Sequence, residues 1–282
     1  MDGQEKSQDL PKDRSVQKLW DEPRSRLRYE GLLQNGNSEE KVILLSTSSE
    51  DSSAWVHAVP ISSLGLKLEN SSFKIACGLR IGAKICVPYR CICGAQVDPF
   101  GRHGLHCQKA CGRLSRHNEA NLIMKKALAS IDMPSTLEPP GLCRCDDGRR
   151  PDGLSHFTWK DGKYLVWDFT TSCTVAPSNL SCSVKGAGKT AEAREKVKCA
   201  KYSDLGPSYH FVPVSSETFG AWGPMSKIFL NNLGKQLIEY SGERRSKFFL
   251  YQSLSMCIQK GNASSVLGSI PRGKKLEEIF LL

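Results

Sequence analysis

Nothing in this chain constrains its folding as tightly as Cys91-Ile92-Cys93, followed nine residues later by His103-Gly104-Leu105-His106-Cys107. Read as Cys-x-Cys-x9-His-x3-Cys, it gathers Cys91, Cys93, His103 and Cys107 within seventeen positions. Such a thiolate and imidazole set suits tetrahedral Zn²⁺. A loop this short has too little apolar surface to hold itself together, so about one structural Zn²⁺ per chain would supply its folding energy. Gly94, Asp98-Pro99 and Gly101 provide the turns. His106, Cys86 and Cys111 are alternative ligands, and the tight Cys-x-Cys pair is less usual than Cys-x-x-Cys. The competing reading, a set of unrelated buried thiols, does not account for histidines at ligand spacing. Cys143, Cys145, Cys173, Cys182, Cys199 and Cys257 read as core or surface thiols.

The compartment follows from what surrounds these thiols. Met1 to Arg14 is polar and charged, without the apolar stretch of a signal peptide, and no run approaches the ~20 apolar residues of a membrane span. The expected setting is intracellular, nuclear or cytoplasmic, where twelve cysteines are better read as thiols and metal ligands than as a disulfide framework. An excess of 39 Lys+Arg over 29 Asp+Glu leaves a formal charge of +10. That field attracts a polyanion, DNA first and RNA second, with no membrane partner expected.

Patterning indicates a mixed α/β unit. Residues 1–85 read as a weakly specified connector, with a Ser-rich linker over Ser46 to Ser53 and a period-two pattern through Phe73, Ile75, Cys77 and Leu79 that competes with a small helix. Ala120, Ile123, Met124, Ala127, Leu128 and Ile131 recur at helical spacing until Pro134. Thr136-Leu137-Glu138 and Arg150-Pro151-Asp152-Gly153 mark short extended segments. Tyr164-Leu165-Val166-Trp167 and Phe169 form an apolar run fit for a strand buried on both faces. A helix over Thr190 to Leu205, a strand over Tyr209 to Val214, and helices around Phe229 to Tyr240 and Glu243 to Gln259 complete the order.

Three carboxylates, Glu138, Asp152 and Asp168, fall at predicted strand ends. Phosphodiester hydrolysis needs an activated water and neutralisation of the charge that builds in the transition state, and Mg²⁺ held by carboxylate oxygens supplies both. Each residue alone has a structural explanation. Asp168 is the hardest to explain away, because a carboxylate inside Leu-Val-Trp-Asp-Phe costs several kcal/mol unless it is paired or metal-bound.

Arg150-Pro151-Asp152 together with Val166-Trp167-Asp168-Phe169-Thr170 resembles the PD-(D/E)XK nucleases. The order of knuckle, Arg116-His117-Asn118, Pro-Asp, Asp and Lys198-x-x-Lys201-Tyr202 is similar to the C-terminal region of non-LTR retrotransposon polyproteins that carry a restriction-like endonuclease. Ala54-Trp55-Val56-His57-Ala58 and Cys77-Gly78-Leu79-Arg80 extend the resemblance, which runs nearly to Lys260. It implies a knuckle over 86–111, an endonuclease domain over 112–261 and a flexible tail over 262–282. It also implies a Mg²⁺-dependent enzyme that nicks DNA, with Asp152 and Asp168 as metal ligands, Glu138 as the upstream acid, Lys198 or Lys201 as the charge-balancing lysine, and Arg116-His117 as a basic motif. Thr170 stands where a (D/E)XK lysine would be, so the amine must come from the following helix. The chain carries no polymerase motif, Asp146-Asp147 lying in a Cys/Gly/Arg loop, and reads as a fragment or a separate gene derived from such an element.

Between the two lysines, Lys198 is preferred. It shares a stripe with Arg194 and Tyr202 and lies beside Val197, which with Ala193 and Ala200 forms the apolar face expected to pack on the sheet. The segment from Arg102 to Lys126 holds six basic residues, Arg102, Lys109, Arg113, Arg116, Lys125 and Lys126, against one acidic, Glu119. With His117, they read as a phosphate-contacting DNA track. Two other classes compete with the enzyme: a zinc-containing nucleic-acid-binding protein on an inactive nuclease scaffold, and a non-functional relic.

Overall fold

A computed structural model describes residues 17–110, 112–142, 150–274 and 276–281. Met1 to Arg14, Cys111, Cys143, Cys145 and Asp146-Asp147 therefore lie outside the described residues.

The described residues from Gln17 to Ile81 form helices and turns, with no strand among them. Helix α1 (Gln17–Asn35) is followed by α2 (Ser38–Thr47), which starts at a capping box: the Asn37 side chain accepts from Glu40 N while the Glu40 carboxylate accepts from Asn37 N. Helix α3 (Asn70–Ile81) overturns the period-two expectation. Ile75, Ala76 and Leu79 are buried at helical spacing, while Phe73 is left exposed. The Ser-rich stretch is not a linker. Ser46 and Ser52 are buried, Ser52 Oγ donates to Thr47 O at 2.8 Å, and the Arg80 guanidinium donates to Thr47 O and Ser53 Oγ.

The hairpin of β1 (Tyr89–Arg90) and β2 (Gln96–Val97) precedes a 3-10 turn over Arg102–Leu105. Then come α4 (Gly112–Ala129), β3 (Ser135–Leu137), β4 (Gly153–Lys160), β5 (Lys163–Ser172), α5 (Leu180–Ser183), α6 (Lys189–Lys201), β6 (Tyr209–Glu217), α7 (Pro224–Ser241), α8 (Ser246–Leu267) and α9 (Leu276–Ile279). The sheet order is β3-β4-β5-β6, with β4 antiparallel to both β3 and β5 and with β5 and β6 parallel. This is the mixed α/β arrangement expected from the sequence. Strand β5 is internal, and every residue from Leu165 to Phe169 is buried.

Alternation along β5 sends its side chains two ways. Leu165, Trp167 and Phe169 enter a core with Met124 and Leu128 of α4, Leu230 and Leu233 of α7, and Leu254 and Ile258 of α8. Asp168 faces the other way, toward α6. A second core joins Val42, Ile75, Leu79, Ile85, Val97 and Leu105 to Ala263 and Val266 of α8 and to Phe280. It crosses the expected divisions at 85/86, 111/112 and 261/262. The tail expected to be flexible instead begins inside α8 and returns as a bridge between Phe280 and Cys86.

Glycines let α4 and α8 approach closely. A Cβ on Gly112 would lie 2.4 Å from Ser265 N, and one on Gly261 would lie 2.4 Å from Arg116 Cβ. Among the described residues no helix is long and apolar enough to cross a membrane.

Candidate functional site

The hairpin and the 3-10 turn bring Cys91, Cys93, His103 and Cys107 together, with all four ligand atoms within 4.8 Å of one another. Cys91 and Cys107 Sγ are 3.6 Å apart, and Cys93 Sγ lies 3.2 Å from His103 Nε2. The turn is tight because Gly94 N donates to Cys91 O and Cys91 N to Ala95 O, both at 2.8 Å. The Ala95 backbone N–H, helped by the neighbouring ligands, draws the Cys93 thiol down to about 6, the direction a thiolate ligand requires. This set can hold a metal ion. The alternatives fall elsewhere: His106 packs edge-on against His103, and Cys86 Sγ donates to Asp98 O at 3.3 Å.

The second constellation spans the sheet. Gly153 pairs with Trp167, and extending that antiparallel register by one residue sets Asp152 opposite Asp168. Gly153 has to be glycine, since a Cβ there would sit 2.0 Å from the Trp167 ring. Asp152 Oδ2 accepts from Phe169 N at 2.6 Å and faces His117 Nε2 at 3.0 Å. The hydrogen bond that His117 donates to Asp152 raises its pKa against the opposing effect of burial. His117 thus serves the acidic cluster, a role that sequence reading missed by assigning it to DNA. Its ring is held from behind: Trp167 Nε1 donates to Asn121 Oδ1 at 3.0 Å, and Asn121 Nδ2 lies 3.4 Å from His117 Nδ1.

Asp168 is 3% exposed. Its Oδ2 accepts from the Tyr202 hydroxyl at 2.8 Å, the same hydroxyl lying 2.9 Å from Arg150 O. Its Oδ1 lies 2.5 Å from Lys198 Nζ. That ammonium approaches off the line of a hydrogen bond, so Oδ1 is a buried carboxylate oxygen with an ion-pair partner and no aligned donor. Lys201 is turned aside, its Nζ 4.9 Å above the Tyr202 ring.

The structure thus brings Lys198 to Asp168 as expected, but the argument for it is corrected. Ala193, Val197 and Ala200 face outward, Val197 being 56% exposed. The inward face of α6 is Ala191, Glu195, Lys198 and Tyr202, and it tolerates polarity because each polar group has a fixed partner. The Glu195 carboxylate accepts from Ser226 N at 2.8 Å, Ser226 Oγ at 2.5 Å and Met225 N at 3.1 Å, capping the start of α7. Glu217 on β6 does the same for α6, accepting from Thr190 N at 2.9 Å and from Ser46 Oγ at 3.1 Å, and burial raises its pKa. These two buried acids anchor α6, the helix that carries Lys198, to β6 and to the start of α7. Neither stood out in the sequence, because their partners are remote backbone amides.

Glu138 does not join the acid pair. Its φ is 48°, its N donates to Asp152 O at 2.8 Å, and its exposed carboxylate pairs with Arg150. Among the described residues Glu138, Asp152 and Asp168 do not form a second close ligand group beside the Cys/His set.

The DNA track also needs correction. Arg102 is buried, paired with Glu39 and stacked 4.3 Å over Phe100. Arg116, 3% exposed, lies under α8 rather than on the outer face of α4, its Nη1 donating to Asn262 Oδ1 at 2.6 Å. Arg113 is exposed beside His117, whereas Lys125 and Lys126 lie about 18 Å further along the helix at 1.5 Å per residue. No family model matches the chain, and no curated protein matches it in sequence.

Proposed function

We propose that this chain is a metal-dependent DNA endonuclease of retrotransposon origin, built on a restriction-endonuclease-like core with a structural Zn²⁺ in its Cys3His hairpin. The observation that carries the reading is the ion pair of Lys198 on α6 with Asp168 on β5, beside Asp152, which directly precedes β4 and stands opposite Asp168 in the register. The succession α4, β3, β4, β5, α5, α6, β6 around a four-stranded mixed sheet agrees with it.

The residues present fit a divalent cation. Asp168 Oδ1 is a buried anionic oxygen without an aligned donor, and Asp152 stands opposite. Asp152 and Asp168 would hold Mg²⁺, which when bound would lower the pKa of a coordinated water and neutralise phosphoryl charge. The chain's own groups do the rest. Lys198 balances negative charge at Asp168 and can orient a water. Tyr202 fixes the Asp168 carboxylate, His117 and the Phe169 amide fix that of Asp152, and Glu138 stands at the rim through its backbone link to Asp152.

The pairing of Glu138 with Arg150 favours a second reading, a zinc-containing nucleic-acid-binding protein on an inactive scaffold. Incubating the purified chain with supercoiled plasmid, with and without Mg²⁺, separates the two. Nicking that requires metal and is lost in Asp168→Asn supports the enzyme, while binding without nicking supports the scaffold.

A further inference from the structure

We propose that the cleft between the exit of the Cys/His hairpin and the end of β5 is a phosphate subsite, holding one backbone phosphate of a nucleic-acid strand over the buried Arg116 guanidinium. The cleft encloses about 540 Å³, within the roughly 300–1,000 Å³ of small-ligand sites. Lys109 and Arg113 stand exposed at its mouth, Thr170 and Thr171 line β5, and His117 joins it to Asp152.

Arg116 is the reason to assign an anion. A guanidinium carries five N–H donors, and among the described residues one of them finds a side-chain acceptor, the neutral Asn262 Oδ1. Asn262 is held in that orientation because its Nδ2 donates to Thr218 O at 2.6 Å. Among the described residues no carboxylate pairs with Arg116. An almost fully buried cation without a counter-charge is costly, and burial holds its pKa down to about 10. Its stem is locked against Gly261, so the head cannot swing out to solvent without opening the α4–α8 contact. The first turn of α4 adds backbone N–H groups that lack intrahelical acceptors. A tetrahedral oxyanion in the cleft would supply the counter-charge that Arg116 lacks among the described residues.

The anion is assigned to a nucleic-acid strand because the cleft adjoins Asp152 through His117, which lines it and lies 3.0 Å from the Asp152 carboxylate. Phe169 lines it and donates its backbone N–H to Asp152, and His117 touches both. A strand engaged at Asp152 would pass His117 and so reach this cleft with a further phosphate. This identity of the strand rests on the endonuclease reading; the anion site itself does not.

The test is a titration of the full zinc-loaded chain, without Mg²⁺, with inorganic phosphate and then with a tetrathymidylate. The readout is the ¹⁵N Nε signal of Arg116, assigned by its loss in Arg116→Met. Both probes should move that signal saturably, and a neutral methylphosphonate tetramer should not. Because Arg116→Met could unfold, the exposed pair Lys109→Ala with Arg113→Ala is the second arm, and it should weaken phosphate binding at least about tenfold. An unmoved Arg116 signal, or unchanged affinity in the double variant, overturns the subsite. Phosphate binding without plasmid nicking would leave the subsite standing and remove the endonuclease reading, and nicking with an unmoved Arg116 signal would do the reverse.

Discussion

The two constellations in this protein are built on opposite principles. The Cys/His set is local: four ligands within seventeen residues, drawn together by a short hairpin with a five-residue loop and a single turn. The acid site draws His117 from α4, Asp152 from just before β4, Asp168 from β5, Lys198 from α6 and Tyr202 from just after it. A local site needs few prior contacts but depends on its ligand to hold it. A dispersed site needs the whole sheet in register but is then preorganised by the fold. The first should fail when metal is removed, the second when positioning groups are removed.

The largest effect is expected in the hairpin. If the hairpin holds the proposed Zn²⁺, Cys93→Ser should lower bound zinc from about one per chain to near zero and lower global stability by several kcal/mol, since metal binding and folding would then share one free energy. Metal analysis with thermal unfolding checks it. A zinc-free chain melting like wild type would show that the apolar packing of Val97 and Leu105 suffices, and the contrast would collapse.

Next comes Lys198→Ala, which should reduce Mg²⁺-dependent nicking by roughly 10²–10³-fold, about 2.7–4 kcal/mol of barrier, as when a preorganised electrostatic donor is lost. DNA affinity should be nearly unchanged. Lys201→Ala should do the reverse, weakening binding with nicking largely kept, and single-turnover rates on saturating plasmid distinguish the two. Equal loss from both lysines would mean that the pairing with Asp168 does not select between them.

Glu195→Ala should cost roughly 2 kcal/mol, since it strips a buried cap from α7 and leaves Ser226 and Met225 donors unsatisfied. Denaturant melts measure it. Nicking should fall as well, because α6 carries both Glu195 and Lys198, and an unaltered rate would show that Lys198 is positioned without that anchor.

The smallest effect concerns Glu217. Its pKa is raised in the folded state, so its proton-linked stabilisation is full below the ordinary glutamate value near ~4.3 and is lost as pH rises through the raised value. Wild type should therefore lose stability relative to Glu217→Gln across that rise. Parallel melting curves for the two proteins would remove burial as the cause.

This contrast also explains what could be read from the sequence. The hairpin ligands follow from spacing alone, and the central strand follows from an unbroken apolar run around Asp168. Lys198 was reached by a flawed route, because helical periodicity identifies an apolar stripe and cannot see that a polar stripe has partners waiting inside. Glu195, Glu217 and the His117 contact depend on amides and carboxylates brought close only by folding. Arg116 misled because charge in a sequence suggests exposure, whereas two glycines on crossing helices allow it to be enclosed.

Helix α8 gives the molecule a further property. Leu254 and Ile258 belong to the sheet core, while Ala263 and Val266, two turns later, belong to the core that carries the hairpin. A single rod thus runs through both, and neither can be released while the other keeps its grip. Amide hydrogen exchange should report one cooperative opening for Met124, Val166 and Ile75 alike, and a cut within α8 should liberate no independently folded half.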